Sequence, residues 1–165
     1  RLVGSEMCIR DRYGGDPGRV FVAGHSAGGY LTSMIGLDKR WLEPYGIDPD
    51  TAFVALIPYS GQVVTHFERR RELGLPDTQP LVDDMAPLSY VRPDCRPMLI
   101  LSGDREREML GRYEENAYFW RMMRVAGHPD VRICEFDGFD HGNMPQAGHF
   151  VAVRYIREME RRMDR

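Results

Sequence analysis

Arg19-Val20-Phe21-Val22-Ala23-Gly24-His25-Ser26-Ala27-Gly28-Gly29 decides how this chain is read. Val20 to Ala23 is a short continuous apolar run, the pattern of a strand buried on both faces of a parallel sheet. From Ala27 to Ile35 the sequence suits a helix, with Tyr30, Leu31, Met34 and Ile35 on its inward side. Between them, Gly24-His25-Ser26-Ala27-Gly28 fits Gly-x-Ser-x-Gly, a sharp strand-to-helix turn that holds a serine hydroxyl clear of the backbone. Glycine on either side of Ser26 is expected for steric reasons, because side chains there would strike the adjoining strand and helix. A serine hydroxyl is a poor nucleophile until a base takes its proton. The motif therefore calls for a base, and an acid to orient it, elsewhere in the chain.

The downstream sequence supplies both. Met98-Leu99-Ile100-Leu101 reads as a strand ending in Ser102-Gly103-Asp104-Arg105-Glu106, with carboxylates at its C-terminal end. Val131 to Phe136 reads as another, followed by Asp137-Gly138-Phe139-Asp140-His141-Gly142-Asn143-Met144, so that His141 lies on a loop from which a base could reach Ser26. Ala52 to Ile57 is predicted as a further buried strand, stopped by Pro58. Glu114 to Val125 carries Tyr118, Phe119, Met122 and Met123 as a buried helical stripe, and Val151 to Met163 is a final amphipathic helix with an arginine-rich outer face. Residues 62–93 are irregular and proline-bearing, and are expected to form a cap or pocket-lining excursion.

On these residues the chain resembles the α/β-hydrolase superfamily, in the esterase and lipase branch that includes carboxylesterases and kynurenine formamidase-like enzymes. The likeness runs from Tyr13 through the approach to Ser26 and on to Gly29. It continues in outline through Ile57-Pro58-Tyr59-Ser60-Gly61, Pro97 to Glu106, and Gly138 to His141. It implies an α/β fold with a mostly parallel sheet of about four strands flanked by helices. It implies Ser26 as nucleophile, His141 as base, and an acid three residues beyond the glycine that ends the strand, here Glu106, with Asp104 the alternative. One oxyanion donor is expected on the Ala27 amide, and no His-Gly-Gly-Gly sequence precedes Ser26 to supply the second. The implied reaction is cleavage of carboxylic esters through an acyl-enzyme, without a cofactor. Hydrolysis of an aryl formamide such as N-formylkynurenine is the alternative within enzymes, and a non-catalytic hydrolase-like binding protein is the alternative outside them. A prolyl-oligopeptidase-like peptidase fits less well, since Ala27 stands where that group has an aromatic residue.

The remaining features narrow the reading. His25 is expected beside Ser26 and His66 in a substrate-facing segment, both as substrate-binding residues, while His128 and His149 are expected on the surface. No His-Glu-x-x-His, paired Cys-x-x-Cys or phosphate-loop pattern occurs, so neither a metal nor a nucleotide is predicted. A net charge of -3, from 22 basic and 25 acidic residues, gives no case for nucleic acid, and Arg69-Arg70-Arg71 reads as a solvated helix face. The expected partner is a small ester or amide; no oligomeric state is assigned. No apolar run approaches the ~18 residues of a membrane span, so the chain reads as soluble, with no compartment assigned. Apart from Cys8 there are only Cys95 and Cys134, enough for one bridge but no disulfide framework. Residues 1–12 resemble translated adapter sequence and are expected to be non-native, leaving residues 13–165 as the C-terminal part of a hydrolase domain, poorly soluble and inactive when expressed alone.

Overall fold

The structure, a computed structural model, describes residues 13–165; the expectation for residues 1–12 lies outside them. Four strands form one sheet in the order β1 (Phe21–His25), β2 (Ala55–Tyr59), β3 (Met98–Gly103), β4 (Val131–Phe136), and every neighbouring pair is parallel. Parallel neighbours require crossovers. These carry α1 (Ala27–Leu37) and the short α2 (Pro49–Ala52), then α3 (Phe67–Glu72), then α4 (Arg112–Val125), and α5 (Met144–Met163) follows β4.

Strand alternation divides the core into two layers. Ala55, Ile57, Tyr59, Leu99 and Leu101 point to one face, where they pack against Met144, Ala152, Tyr155 and Met159 of α5. Leu56, Met98 and Ile100 point to the other, against Leu37 of α1 and Phe119 and Met123 of α4. Burial on both faces is why β2 and β3 read as unbroken apolar runs, each large side chain contributing roughly 1.5–3 kcal/mol. All four strands end at one rim, so the loops that follow them converge there.

The parallel α/β sheet flanked by helices is as the sequence implies, and several local readings change. Pro58 lies inside β2 and does not stop it. Along this strand, Val54 N–H donates to Val20 O (2.8 Å) toward β1, while Leu56 N–H donates to Pro97 O (2.9 Å) and Ser60 N–H to Leu101 O (2.7 Å) toward β3. Pro58 belongs to the second set by alternation, so its missing N–H removes one rung and the strand continues. Ala52 closes α2 and does not enter the strand. Leu31 and Tyr118 are exposed, whereas Tyr30, Met34, Phe119 and Met123 are buried as expected. Arg70 is buried, donating to Asp77 O and Gln79 O (both 2.7 Å), so the triple-arginine run is not a uniformly solvated face. His128 is buried as well, its Nε2–H donating to Cys95 O (3.1 Å). Cys95 and Cys134 are both free thiols.

The glycines around Ser26 divide differently from expectation. A Cβ on Gly24 would lie 2.4 Å from the carbonyl of Gly28, and one on Gly29 would lie 2.7 Å from Tyr59 O and 2.9 Å from Gly61 Cα. A Cβ on Gly28 meets nothing within 4 Å. The tight contacts are therefore Gly24 against the Gly28 backbone, and α1 against the end of β2. Gly29→Ala is expected to destabilise the protein by roughly 1–3 kcal/mol through overpacking against rigid backbone. Gly28→Ala is expected to be neutral or to stabilise by up to ~1 kcal/mol through helix propensity. Urea denaturation of the two variants followed by circular dichroism checks the contrast.

Candidate active site

Ser26 joins β1 directly to α1 with φ 57° and ψ −115°, a left-handed conformation that costs a non-glycine residue about 1–3 kcal/mol. Its N–H donates to Tyr59 O (2.9 Å) and its carbonyl accepts the Tyr30 N–H (3.0 Å), so the reversal is fixed on one side to β2 and on the other to the first turn of the helix. The Oγ is left facing His141, whose Nε2 lies 2.9 Å away. His141 reaches this position on the loop between β4 and α5.

The carboxylate at His141 is Glu108, a correction to the expectation of Glu106 or Asp104. Glu108 Oε1 lies 2.6 Å from His141 Nδ1, and the Glu108 side chain is wholly shielded from solvent. Asp104 instead ties the loop together: its Oδ1 accepts from Glu106 N–H (2.8 Å), its Oδ2 from Gly138 N–H (2.7 Å), and its own N–H donates to Phe139 O (2.8 Å). Those two backbone donors hold the Asp104 carboxyl below its usual range. Glu106 is exposed on the outside of the same turn. The physical reason is the turn itself. Arg107 and Glu108 N–H both donate to Asp104 O (3.0 and 2.7 Å), so the chain curls once after β3, leaving Arg105 to Arg107 in solvent and returning Glu108 to the strand end. No local sequence signal distinguishes Glu108 from Glu106: both follow an arginine, and the Met109-Leu110 pair after Glu108 is exposed.

Burial alone would push the Glu108 carboxyl up. Hydrogen bonds from His141, from Ser60 Oγ–H (2.6 Å) and from Met109 N–H (3.0 Å) outweigh it and hold the group down at about 2. Gly103 N–H also reaches Oε2 (3.2 Å). Ser60 stands one residue past β2, as Ser26 stands one past β1, and the strands are in register at His25 and Tyr59. It too has positive φ, 45°. Its carbonyl accepts from the guanidinium of Arg112, which is buried and paired with Glu115 (2.8 Å); Glu115 Oε2 in turn accepts the N–H groups of Val63 and Val64 (3.0 and 3.1 Å). Neither Ser60 nor Arg112 was singled out as a site residue from sequence, although Ser60 lies at the end of a buried run, followed by glycine.

His25 and His66 are near the site in different ways. The His25 Nε2–H donates to the His141 carbonyl (2.9 Å), with the two rings 4.7 Å apart, so it steadies the His141 backbone. Burial, then the nearby His141, lower its pKa. His66 caps α3, its Nδ1 accepting the Glu68 N–H (3.3 Å), and packs 5.2 Å from the Tyr30 ring in the first turn of α1. Burial and the Arg112 charge lower its pKa. His149 is exposed, with Nδ1 3.3 Å from the Tyr59 hydroxyl. The Ala27 amide is in the first turn of α1, where helix N–H groups lack intrahelical acceptors. Among the described residues no group of three or more His, Cys, Asp or Glu is arranged to hold a metal, and no helix is long and apolar enough to cross a membrane.

Solved structures share this architecture. Esterase 2 of Thermogutta terrifontis, in a propionate-bound form, superposes with a TM-score of 0.65 at 21% identity, over 94% of this chain and 62% of that one. The fold is that of the α/β-hydrolases. Pyrococcus horikoshii acylaminoacyl peptidase shares this hydrolase fold, with a TM-score of 0.58 at 21% identity over 86% of this chain and 23% of its own. By sequence, this hydrolase-fold chain is similar to two Mycobacterium tuberculosis proteins, esterase LipQ (29% over 144 residues, 78% of this chain) and esterase LipC (27% over 149 residues, 80%). The chain spans about a third of the length of these relatives, 34% and 36%. No protein-family model matches it.

Folding lowers the Glu108 pKa from an ordinary 4.5 to about 2, so the ionised carboxylate stabilises the native state. That contribution is complete above about pH 4.5 and is lost as pH falls through about 2. Glu108→Gln is therefore expected to flatten the fall of stability between about pH 4.5 and 3. Urea midpoints across that pH range provide the check.

Proposed function

We propose that the protein is a serine hydrolase that cleaves carboxylic esters through an acyl-enzyme, with Ser26 as nucleophile, His141 as general base and acid, and Glu108 as the orienting carboxylate. The observation that carries this reading is the continuous line Ser26 Oγ, His141 Nε2, His141 Nδ1, Glu108 Oε1, with contacts of 2.9 and 2.6 Å at its two hydrogen-bonded steps. The esterase relatives support it.

In the first step Ser26 Oγ attacks the ester carbonyl carbon as its proton passes to His141 Nε2, and the carbonyl oxygen becomes an oxyanion. Glu108 keeps the Nδ1–H of the imidazole directed inward and stabilises the imidazolium. The oxyanion receives the Ala27 N–H, at the positive end of the α1 dipole. His141 then returns its proton to the leaving alkoxide, giving the alcohol and a Ser26 ester. Water, deprotonated by the same Nε2, attacks that ester; the proton then goes to Ser26 Oγ and the carboxylic acid leaves. His66 and Tyr30, beside the first turn of α1, are assigned to the wall of the substrate site, with residues 62–93 contributing that wall. The segment is fastened for such a role by the Tyr30 hydroxyl donating to Met85 O (2.8 Å) and by Thr65 Oγ–H donating to Asp83 (2.6 Å).

A fluorescent fluorophosphonate and p-nitrophenyl esters of short acids test the proposal. Assayed in a whole-length protein carrying this chain, since the chain alone is expected to be inactive and spans about a third of its esterase relatives' length, Ser26 is expected to label, with Ser26→Ala abolishing both labelling and turnover. Glu108→Gln is expected to lower kcat by roughly 10³–10⁴-fold, as loss of the orienting acid does in other triads, while Glu106→Gln stays within about twofold. A folded protein that neither labels nor turns over, or a Glu106→Gln loss as large as that of Glu108→Gln, contradicts the assignment.

A further inference from the structure

The imidazole of His141 stands between two serines. Ser26 Oγ is 2.9 Å from Nε2, and Ser60 Oγ is 3.1 Å from Nδ1. The two occupy equivalent places, each one residue beyond the C-terminal end of its strand and each with positive φ. Ser60 is wholly buried, and its Oγ–H donates to Glu108 Oε2 at 2.6 Å. With its proton committed to the carboxylate, the Oγ lone pairs face Nδ1–H, which already donates to Glu108 Oε1. The hydroxyl therefore closes a three-membered ring of contacts among Ser60, Glu108 and His141.

We propose that Ser60 is a positioning residue of the catalytic machinery, fixing the rotation of the Glu108 carboxylate so that Oε1 stays on the His141 Nδ1–H axis. This rests on the triad reading above. A carboxylate on a two-carbon stem can rotate about its last bond, and a shielded one has no water to hold it. The Ser60 hydroxyl on Oε2 (2.6 Å) and the imidazole N–H on Oε1 (2.6 Å) are the shortest contacts that remove that freedom, with the Gly103 N–H on Oε2 (3.2 Å) and the Met109 N–H on Oε1 (3.0 Å) as longer backbone contacts. Ser60 is held in turn. Its N–H donates to Leu101 O, its carbonyl accepts from buried Arg112, and the next residue, Gly61, accepts at its carbonyl from Asn116 Nδ2 (2.8 Å). The titratable and charged groups facing Ser60 are Glu108 from the turn after β3, His141 from the loop after β4, and Arg112 from α4, with Glu115 behind Arg112. The backbone strain at Ser60 parallels that at Ser26, consistent with a conformation kept for where it points the side chain.

Ser60→Ala, Glu108→Gln and the double variant test this, with two readouts. Turnover of p-nitrophenyl acetate is expected to fall on the order of 10- to 100-fold in Ser60→Ala with KM unchanged, the loss of one hydrogen bond to a charged group. The double variant should lie within about twofold of Glu108→Gln, because Ser60 acts through that carboxylate. The second readout needs no activity: the Glu108 carboxyl resonance, titrated by carbon-13 NMR, should move to higher pH in Ser60→Ala. Ser60→Gly, which relieves the positive φ while removing the hydroxyl, should give the same two changes without loss of stability. Losses that multiply in the double variant, or an unmoved Glu108 titration in both Ser60 variants, would overturn the inference. If the parent protein neither labels nor turns over, the triad reading fails, and the Glu108 titration still decides whether Ser60 fixes the carboxylate.

Discussion

Everything at the rim of this sheet depends on the backbone reversal at Ser26. β1 ends at His25 and α1 begins at Ala27, so one residue carries the whole change of direction and takes φ 57° to do so. The strain is balanced by contacts that only this arrangement allows: the Ser26 N–H on Tyr59 O, the Gly24 backbone over Gly28, and Gly29 seated against the end of β2. Because α1 and β2 are both pinned to the turn, the Ser26 hydroxyl has a fixed address relative to the other strands. The end of β2 turns in the same manner at Ser60, and the two adjacent reversals form one packed unit.

Each strand contributes one group to the site. β1 delivers Ser26, β2 delivers Ser60, the turn after β3 delivers Glu108, and the loop after β4 delivers His141. The loops are fastened to each other as well as to the sheet, through Asp104 to Gly138 and Phe139, and through His25 to the His141 carbonyl. Electrostatics then follow from hydrogen bonding. A shielded carboxyl would ordinarily stay protonated. Glu108 is held ionised by an imidazole, a hydroxyl and backbone N–H donors, and the resulting anion faces the Nδ1–H of a ring that would become a cation if Nε2 took the Ser26 proton.

What the sequence disclosed was what short stretches determine. The Gly24 to Gly28 pattern, the apolar runs of β1, β3 and β4, and a histidine on a loop after the last strand are local signals, and each lies close to where it was read, although β1 is not buried on both faces as expected: Phe21 and Val22 are half-buried, and Val20 and Ala23 are exposed. Glu108 was missed because spacing from Gly103 does not encode the turn that carries Glu106 outward and brings Glu108 back; that depends on Asp104 capping the turn with its own side chain and carbonyl. Pro58 was misread as a strand end because only the pairing of β2 with two neighbours reveals that its absent N–H costs a single rung. His128 looked like a surface residue because the carbonyl that satisfies it, Cys95 O, comes from a segment that only the fold brings near, and Arg70 because its partners, Asp77 O and Gln79 O, are backbone carbonyls that residue type does not reveal. Ser60 carried a weak signal, a serine and a glycine closing a buried run, whose meaning appears once β1 and β2 are in register.

The hydrogen bond between Glu108 and His141 Nδ1 is directly visible to low-field proton NMR. The expected result is a strongly deshielded Nδ1–H resonance that is coupled to nitrogen-15 in labelled histidine, persists in Glu106→Gln and moves upfield or vanishes in Glu108→Gln. A resonance unaffected by Glu108→Gln but lost in Glu106→Gln would contradict it.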